Sequence, residues 1–171
     1  MVELVKVINN KTASLKSFDL NQLSKMRRLA TILSTSGEHL QDNSVQFKLF
    51  HNDLNIRLID KNTFQMTATV PDSNYFAIGF GENMYNTDMI LWQAEQEKSR
   101  VTDLWAIHHM EPQRDLLQSL NSTFSHDINA ETVTFTTTRK FDTEDPYDFL
   151  VPWEEPIVMC YASSNGNPDF I

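Results

Sequence analysis

Met84 and Asp88 stand four residues apart in the stretch YFAIGFGENMYNTDMILWQ, residues 75–93. The stretch reads as strand, glycine loop and strand, so a thioether and a carboxylate meet at the junction of two apolar runs. A thioether is a soft donor and a carboxylate a hard one, so the two side chains suit different chemistry. His108 and His109 are adjacent, and on a strand one of an adjacent pair faces inward. A buried imidazole satisfied by a backbone partner is a commoner outcome there than a ligand. His39, His51 and His126 sit in loop-like contexts and read as solvated. Asp142, Glu144, Asp145 and Asp148 crowd one turn. Their oxygens suit Ca²⁺, but no EF-hand spacing is present, and an acidic surface loop is the preferred reading. Cys160, the single cysteine, lies in an apolar run and reads as a buried inert thiol.

Known catalytic constellations are missing from the sequence. There is no G-x-S-x-G elbow, no G-x-x-x-x-G-K phosphate loop and no H-E-x-x-H. Four glycines leave little material for a nucleotide-cradling loop. No pair of acids is marked out as a hydrolytic couple. Asp88 at the foot of a strand reads as an acceptor of backbone N–H groups in a turn. Asp103, Asp115 and Arg139 read as holders of loop geometry, with Arg139 paired to one of the acids.

The elements that must position these residues are strands. Val45, Phe47 and Leu49 alternate with polar residues, then Leu54, Ile56 and Leu58, then Phe64, Met66, Ala68 and Val70. Turns are expected at residues 51–53, 60–62 and 71–74. Phe76, Ile78 and Phe80 share one face, and Tyr75, Ala77 and Gly79 the other. Residues 93–99 read as a polar hairpin connection. Residues 113–130 read as a long loop or weakly paired segment. Val133 and Phe135 face a threonine-rich opposite side, and Ile157 to Ala162 is the last strong strand. Short alternating strands at such intervals indicate an antiparallel sandwich or barrel. Before them, Leu20, Leu23, Leu29, Ile32 and Leu33 recur at helical spacing, which predicts an amphipathic helix over about 18–33, capped by Ser17 or Asp19 and ended near Gly37. The chain is accordingly divided into an extension, 1–43, and a domain, 44–171.

The run GFGENMYNTDMILWQ resembles the signature of the DOMON domain, in which an aromatic-Gly-Phe turn precedes a Met and, four residues on, an Asp. VTDLWAIHHMEPQRD resembles the family's next strand, with Asp103, Pro112 and Asp115. Residues 133–162 resemble its closing part: a strand ending in Arg139, the acidic DTEDPYD turn, and a strand ending in Tyr161-Ala162. The resemblance covers roughly residues 45–171 and implies a mostly β fold. The expected architecture is thus an antiparallel immunoglobulin-like β-sandwich with an added N-terminal α-helix. Haem-binding members such as the cytochrome domain of cellobiose dehydrogenase hold b-type haem between a Met and a His. The resemblance therefore implies Met84 as an iron ligand and Tyr75, Phe76, Tyr85 and Trp92 as porphyrin walls. The family's His falls beyond the last strand, where this chain reads SSNGNPDFI and has none; His108 or His109 would have to substitute. Two functions follow: a module binding haem b, or a sugar, near Met84 for one-electron transfer or recognition, and a non-catalytic interaction subunit of a larger assembly. Neither makes the chain a catalyst on its own.

Composition bounds the partners. A net charge of −9 argues against nucleic acid and anionic membrane surfaces. No run of eighteen apolar residues crosses a membrane. A protein partner is expected, with the predicted helix as one contact surface. The resemblance implies an extracytoplasmic setting, although MVELVKVINN is too short and interrupted for a signal peptide's apolar segment. Asn10-Lys11-Thr12 and Asn121-Ser122-Thr123 fit the glycosylation pattern, which arises often by chance.

Overall fold

Alternation of apolar and polar residues at period two builds a pair of packed antiparallel sheets. The computed structural model describes residues 2–5, 44–152 and 157–164. The strands are β1 (Val2–Val5), β2 (Ser44–Leu49), β3 (Asn52–Leu58), β4 (Thr63–Pro71), β5 (Asn74–Gly79), β6 (Thr87–Ala94), β7 (Arg100–Ala106), β8 (Gln113–Arg114), β9 (Asn121–Asp127), β10 (Thr132–Lys140) and β11 (Met159–Ser163). One sheet has six strands in the order β1-β11-β5-β6-β7-β8, and the other five in the order β2-β3-β4-β10-β9. Every pairing is antiparallel.

The expected α-helix is not supported, which corrects the fold to a mostly β, two-sheet antiparallel architecture. Among the described residues the one helical piece is a short 3₁₀ turn, Gln96–Lys98. The predicted 18–33 helix, and the partner contact assigned to it, lie outside the described residues. At the chain's start, Val2–Val5 pairs with β11, Val2 opposite Ala162 and Val5 opposite Met159.

The core follows the alternation. Val45, Phe47, Leu54, Phe64, Met66, Ala68, Val70, Val133 and Phe135 of the five-stranded sheet meet Phe76, Ile78, Ile90, Trp92 and Tyr161 of the six-stranded one. The turn at Asp72 and Ser73, with Ser73 at φ 56°, carries the chain from one sheet to the other rather than closing a hairpin, since β4 and β5 belong to different sheets. Trp92 Nε1 donates across the core to Thr137 Oγ1 at 3.0 Å. Part of the polar 113–130 segment is strand: β9 pairs with β10 as an edge and is exposed along its whole length. Its Asn, Ser, Thr, His and Asp content suits an edge facing water.

The six-stranded sheet is unusual on its outer face. Antiparallel sandwich sheets commonly turn a polar face outward. Here Ala77, Met89, Leu91, Leu104, Ala106 and Ala162 form a second buried apolar cluster, against which Tyr75 and Met84 pack.

Candidate functional site

Two sites emerge from the strand ends, one on each face of the six-stranded sheet. The first is the Met84 loop. Residues 80–86 bend between β5 and β6, fixed by Thr87 Oγ1, which donates to Asn83 O at 2.6 Å, and by Asn83 Oδ1, which accepts from Tyr85 N at 2.7 Å. Asn86 N donates to Ile107 O at 3.3 Å, joining this loop to the one after β7. Met84 is half-buried over the outer apolar cluster beside Tyr75. Close packing beneath the loop demands glycine at position 79. A Cβ there would lie 2.8 Å from Cys160 Sγ and 2.9 Å from Thr87 Cγ2. Burial pushes the Cys160 thiol up, in keeping with the inert thiol expected of it.

The six residues assigned with Met84 to one slot separate in space. Phe76 and Trp92 lie between the sheets, their rings stacked 5.4 Å apart. Tyr75 shares the outer face with Met84. Tyr85 is 62% exposed, and its ring meets the His108 ring at 5.2 Å. The expectation that one of His108 and His109 faces inward from a strand is overturned: β7 ends at Ala106, and both histidines are exposed on the following loop.

The second site lies at the same end of the molecule, on the inner face. Period two along β10 turns Val133, Phe135, Thr137 and Arg139 inward, so an apolar stripe ends in a guanidinium. Period two along β6 brings Asp88 to meet it. Arg139 Nη2 donates to Asp88 Oδ2 at 2.6 Å, with both side chains buried. Phe149 N donates to the same oxygen at 2.7 Å, and Arg139 Nη2 also donates to Phe149 O at 3.2 Å. The guanidinium lies 4.8 Å from the centre of the Phe80 ring, which stacks on Phe149. This ion pair ties the two sheets and the 141–152 loop together.

More carboxylates surround it. Asp103, on β7, accepts from Ser119 N through Oδ2 at 3.1 Å. Gln118 Nε2 donates to the carbonyls of Asp103 and Asp115, both at 2.9 Å, and Asp115 N donates to Asp103 O at 3.0 Å. The DTEDPYD turn is not simply a surface loop. Asp142 and Glu144 are exposed, but Asp145 is buried and the Asp148 side chain is 1% exposed, 3.5 Å from Arg139 Nη2. Burial raises the Asp88 carboxyl to about 6, with Arg139 and the Phe149 N–H opposing and Asp148 adding to the rise. Burial, then the negative charges of Asp148 and Asp88, raise Asp103 to about 8. Asp115 is raised by burial, with Asp145 and Asp148 contributing. Two like charges 4 Å apart repel by ~4 kcal/mol at an effective dielectric constant of 20, and the guanidinium is in ion-pair contact with two of the five carboxylates here, Asp88 and Asp148. Oxygens of Asp88, Asp103 and Asp148 lie within 4.8 Å of one another, as do oxygens of Asp115, Asp145 and Asp148.

Sequence reasoning picked out Asp88, Asp103, Asp115 and Arg139 singly and gave Asp145 and Asp148 to the surface. The missed signal was the position of Arg139: it continues the inward stripe of Val133 and Phe135, so it arrives buried and needs several acids.

No curated protein matches the chain. Among solved structures, it is similar to the cytochrome b domain of pyranose dehydrogenase from Coprinopsis cinerea, with 12% identity and a TM-score of 0.45, over 57% of this chain and 54% of that one. It is also similar to the cytochrome domain of cellobiose dehydrogenase from Myriococcum thermophilum, with 14% identity and a TM-score of 0.46, over 57% of this chain and 55% of that one. The matched part is thus about half the length of each. A family model, the DOMON domain, matches residues 52–164, which contain both sites and every strand from β3 to β11. With most of its length so matched, the chain belongs to the DOMON domain family.

Proposed function

We propose that this protein is a binding module whose ligand lies over the outer face of the six-stranded sheet beside Met84, and that the ligand is haem b serving one-electron transfer. The observation that carries the reading is the apolar outer face, where Ala77, Met89, Leu91, Leu104, Ala106 and Ala162 stand in place of the polar residues a sandwich commonly turns to water. The donor chemistry suits that group on one side: Met84 would supply a soft sulfur ligand, and Tyr75 packs on the same apolar cluster. Phe76 and Trp92 would support the sheet from within rather than touch the ligand. His108 or His109, whose loop is joined to the Met84 loop through Asn86 and Ile107, would supply the other ligand. Bound haem supplies a reversible Fe(III)/Fe(II) couple, and a thioether on the iron favours the reduced state.

The test is a visible spectrum of the purified protein, with and without added haemin. A Soret band with sharp reduced-state peaks is the expected result, and Met84→Ala should remove those peaks. A protein that stays colourless after reconstitution would overturn the haem reading.

One observation favours a second reading, a colourless interaction domain within a larger assembly. Tyr85, Ile107 and Met110 are exposed on the two joined loops, and His108 lies against Tyr85 rather than turned toward the sheet. Co-purification of stable partners with the colourless protein, lost on Tyr85→Ser with Met110→Ser, would support it.

A further inference from the structure

The acidic end of the core holds more negative charge than its protein partners balance. Arg139 contacts Asp88 at 2.6 Å and Asp148 at 3.5 Å, and it is the one cation in ion-pair contact with this cluster among the described residues. Its side of the cluster is therefore supplied with positive charge. On the far side, where Asp115 and Asp145 converge on Asp148, neither Asp115 nor Asp145 is in ion-pair contact with Arg139. There each residue presents an oxygen within 4.8 Å of the others. Oxygens bound to one ion at about 2.4 Å lie no farther apart than twice that bond, so the three fall within reach of a single ion.

A second observation points into the same space. Neither oxygen of Asp148 has a hydrogen-bond partner among the described residues, although its side chain is 1% exposed. Asp145 is 7% exposed, and its Oδ2 is equally without a partner, while its Oδ1 accepts from Tyr147 N at 3.0 Å. Asp103 Oδ1, on the strand alongside, is a further buried oxygen with no donor. Buried carboxylate oxygens are nearly always satisfied by hydrogen bonds, by positive charge or by a metal. The group contains no histidine and no cysteine, which excludes the softer preferences of zinc and copper and leaves an oxygen-seeking cation.

We infer that Asp115, Asp145 and Asp148 hold a Ca²⁺ ion that locks the 141–152 loop onto the edge of the six-stranded sheet. The three ligands come from two separated segments, so the ion would staple the segment after β8 to the loop after β10. Asp103 would stand alongside as a further buried carboxyl group. Binding would register at a distance, because Tyr147, between two of the ligands, packs edge-on against Trp105 at 5.7 Å.

The test uses the full-length chain after treatment with chelator. Calcium chloride is added during calorimetric titration and thermal melting, Trp fluorescence is followed, and metal content is measured after dialysis against CaCl₂. The expected result is one Ca²⁺ per chain, with a melting temperature higher by ~5–10 °C when free Ca²⁺ is about 100-fold above Kd. Asp145→Asn keeps the acceptor used by Tyr147 N and should weaken Ca²⁺ binding at least tenfold. Asp142→Asn, on the same loop but exposed, should change it less than twofold. Three results would overturn the site: no bound Ca²⁺ and no shift, an equal shift in Asp145→Asn, or an equal shift from NaCl of matched ionic strength. If Asp145→Asn fails to fold, the metal content of the unaltered chain decides, and a content far below one per chain counts against the ion.

Discussion

Replacing Arg139 with methionine removes the positive charge at the inner acidic site while keeping a long apolar stem in the stripe formed by Val133 and Phe135. The guanidinium has four roles: it pairs with Asp88 at 2.6 Å, faces Asp148 at 3.5 Å, donates to Phe149 O, and lies over the Phe80 ring. Removing one partner of a buried ion pair costs ~3–5 kcal/mol, because the other charge is left buried and uncompensated. Here Asp88 and Asp148 would both lose their counter-charge. For a chain of this size such a loss lowers the melting temperature by roughly 6–20 °C. The assay is urea and thermal denaturation of Arg139→Met, Asp88→Asn and the double variant, at one pH and with chelator present. The double variant should lose well under the sum of the two single losses, with a coupling of ~1–3 kcal/mol. A single-variant loss under ~1 kcal/mol, or strict additivity, would refute the view that this pair fastens the two sheets.

Three further outcomes follow from the packing. Gly79→Ala places a Cβ 2.8 Å from Cys160 Sγ and 2.9 Å from Thr87 Cγ2, so a loss of ~1–3 kcal/mol is expected in urea titration; an unchanged midpoint would mean that the Met84 loop yields freely. Trp92→Phe deletes the cross-core donation to Thr137 Oγ1, which keeps its contact with Ser122 Oγ at 3.1 Å. Lost volume and hydrogen bond together should cost ~1–3 kcal/mol, and a neutral effect would show that the indole N–H contributes nothing. Without added haem, Met84→Ala should destabilise by less than ~2 kcal/mol, since the side chain is only half-buried. A larger loss would make Met84 a packing residue first and a ligand second.

Strand faces were legible because period two leaves a direct record in residue type. Val45, Phe47, Leu54, Phe64, Met66, Ala68 and Val70 fall on the buried side as their alternation requires. The N-terminal helix was drawn from leucine spacing alone, and a 3.6-residue pattern says nothing about whether a face finds a partner. Sheet membership was not legible either. Residues 71–74 read as a turn, and the turn links strands of different sheets, because a local turn fixes chain reversal and not pairing. The split of the expected ligand walls, by contrast, follows from the alternation already legible in the sequence. Tyr75 and Phe76 are neighbours in sequence, and neighbours on a strand must part to opposite faces.

The acids show what that rule supplies once the sheets are known. Asp88 lies in phase with Ile90 and Trp92, and Arg139 in phase with Val133 and Phe135, so each arrives at the core from an apolar stripe. The four pieces of the family pattern, namely the Met84–Asp88 loop, the β7 strand with Asp103, the segment reaching Asp115, and Arg139 with its acidic turn, meet at one end of the sandwich. Nothing in their separations along the chain requires this; the strand order does, since β6, β7 and β8 are consecutive neighbours and β10 crosses over β6 from the other sheet. A motif scattered over some sixty residues is then one physical object, a charged knot that closes the inner face beneath the loop carrying Met84. On the proposed reading, a ligand on the outer face would be held by a loop whose far end, at Asp88, is anchored in that knot. Perturbing the knot should therefore loosen ligand binding at Met84, whereas replacing Met84 should leave the knot intact.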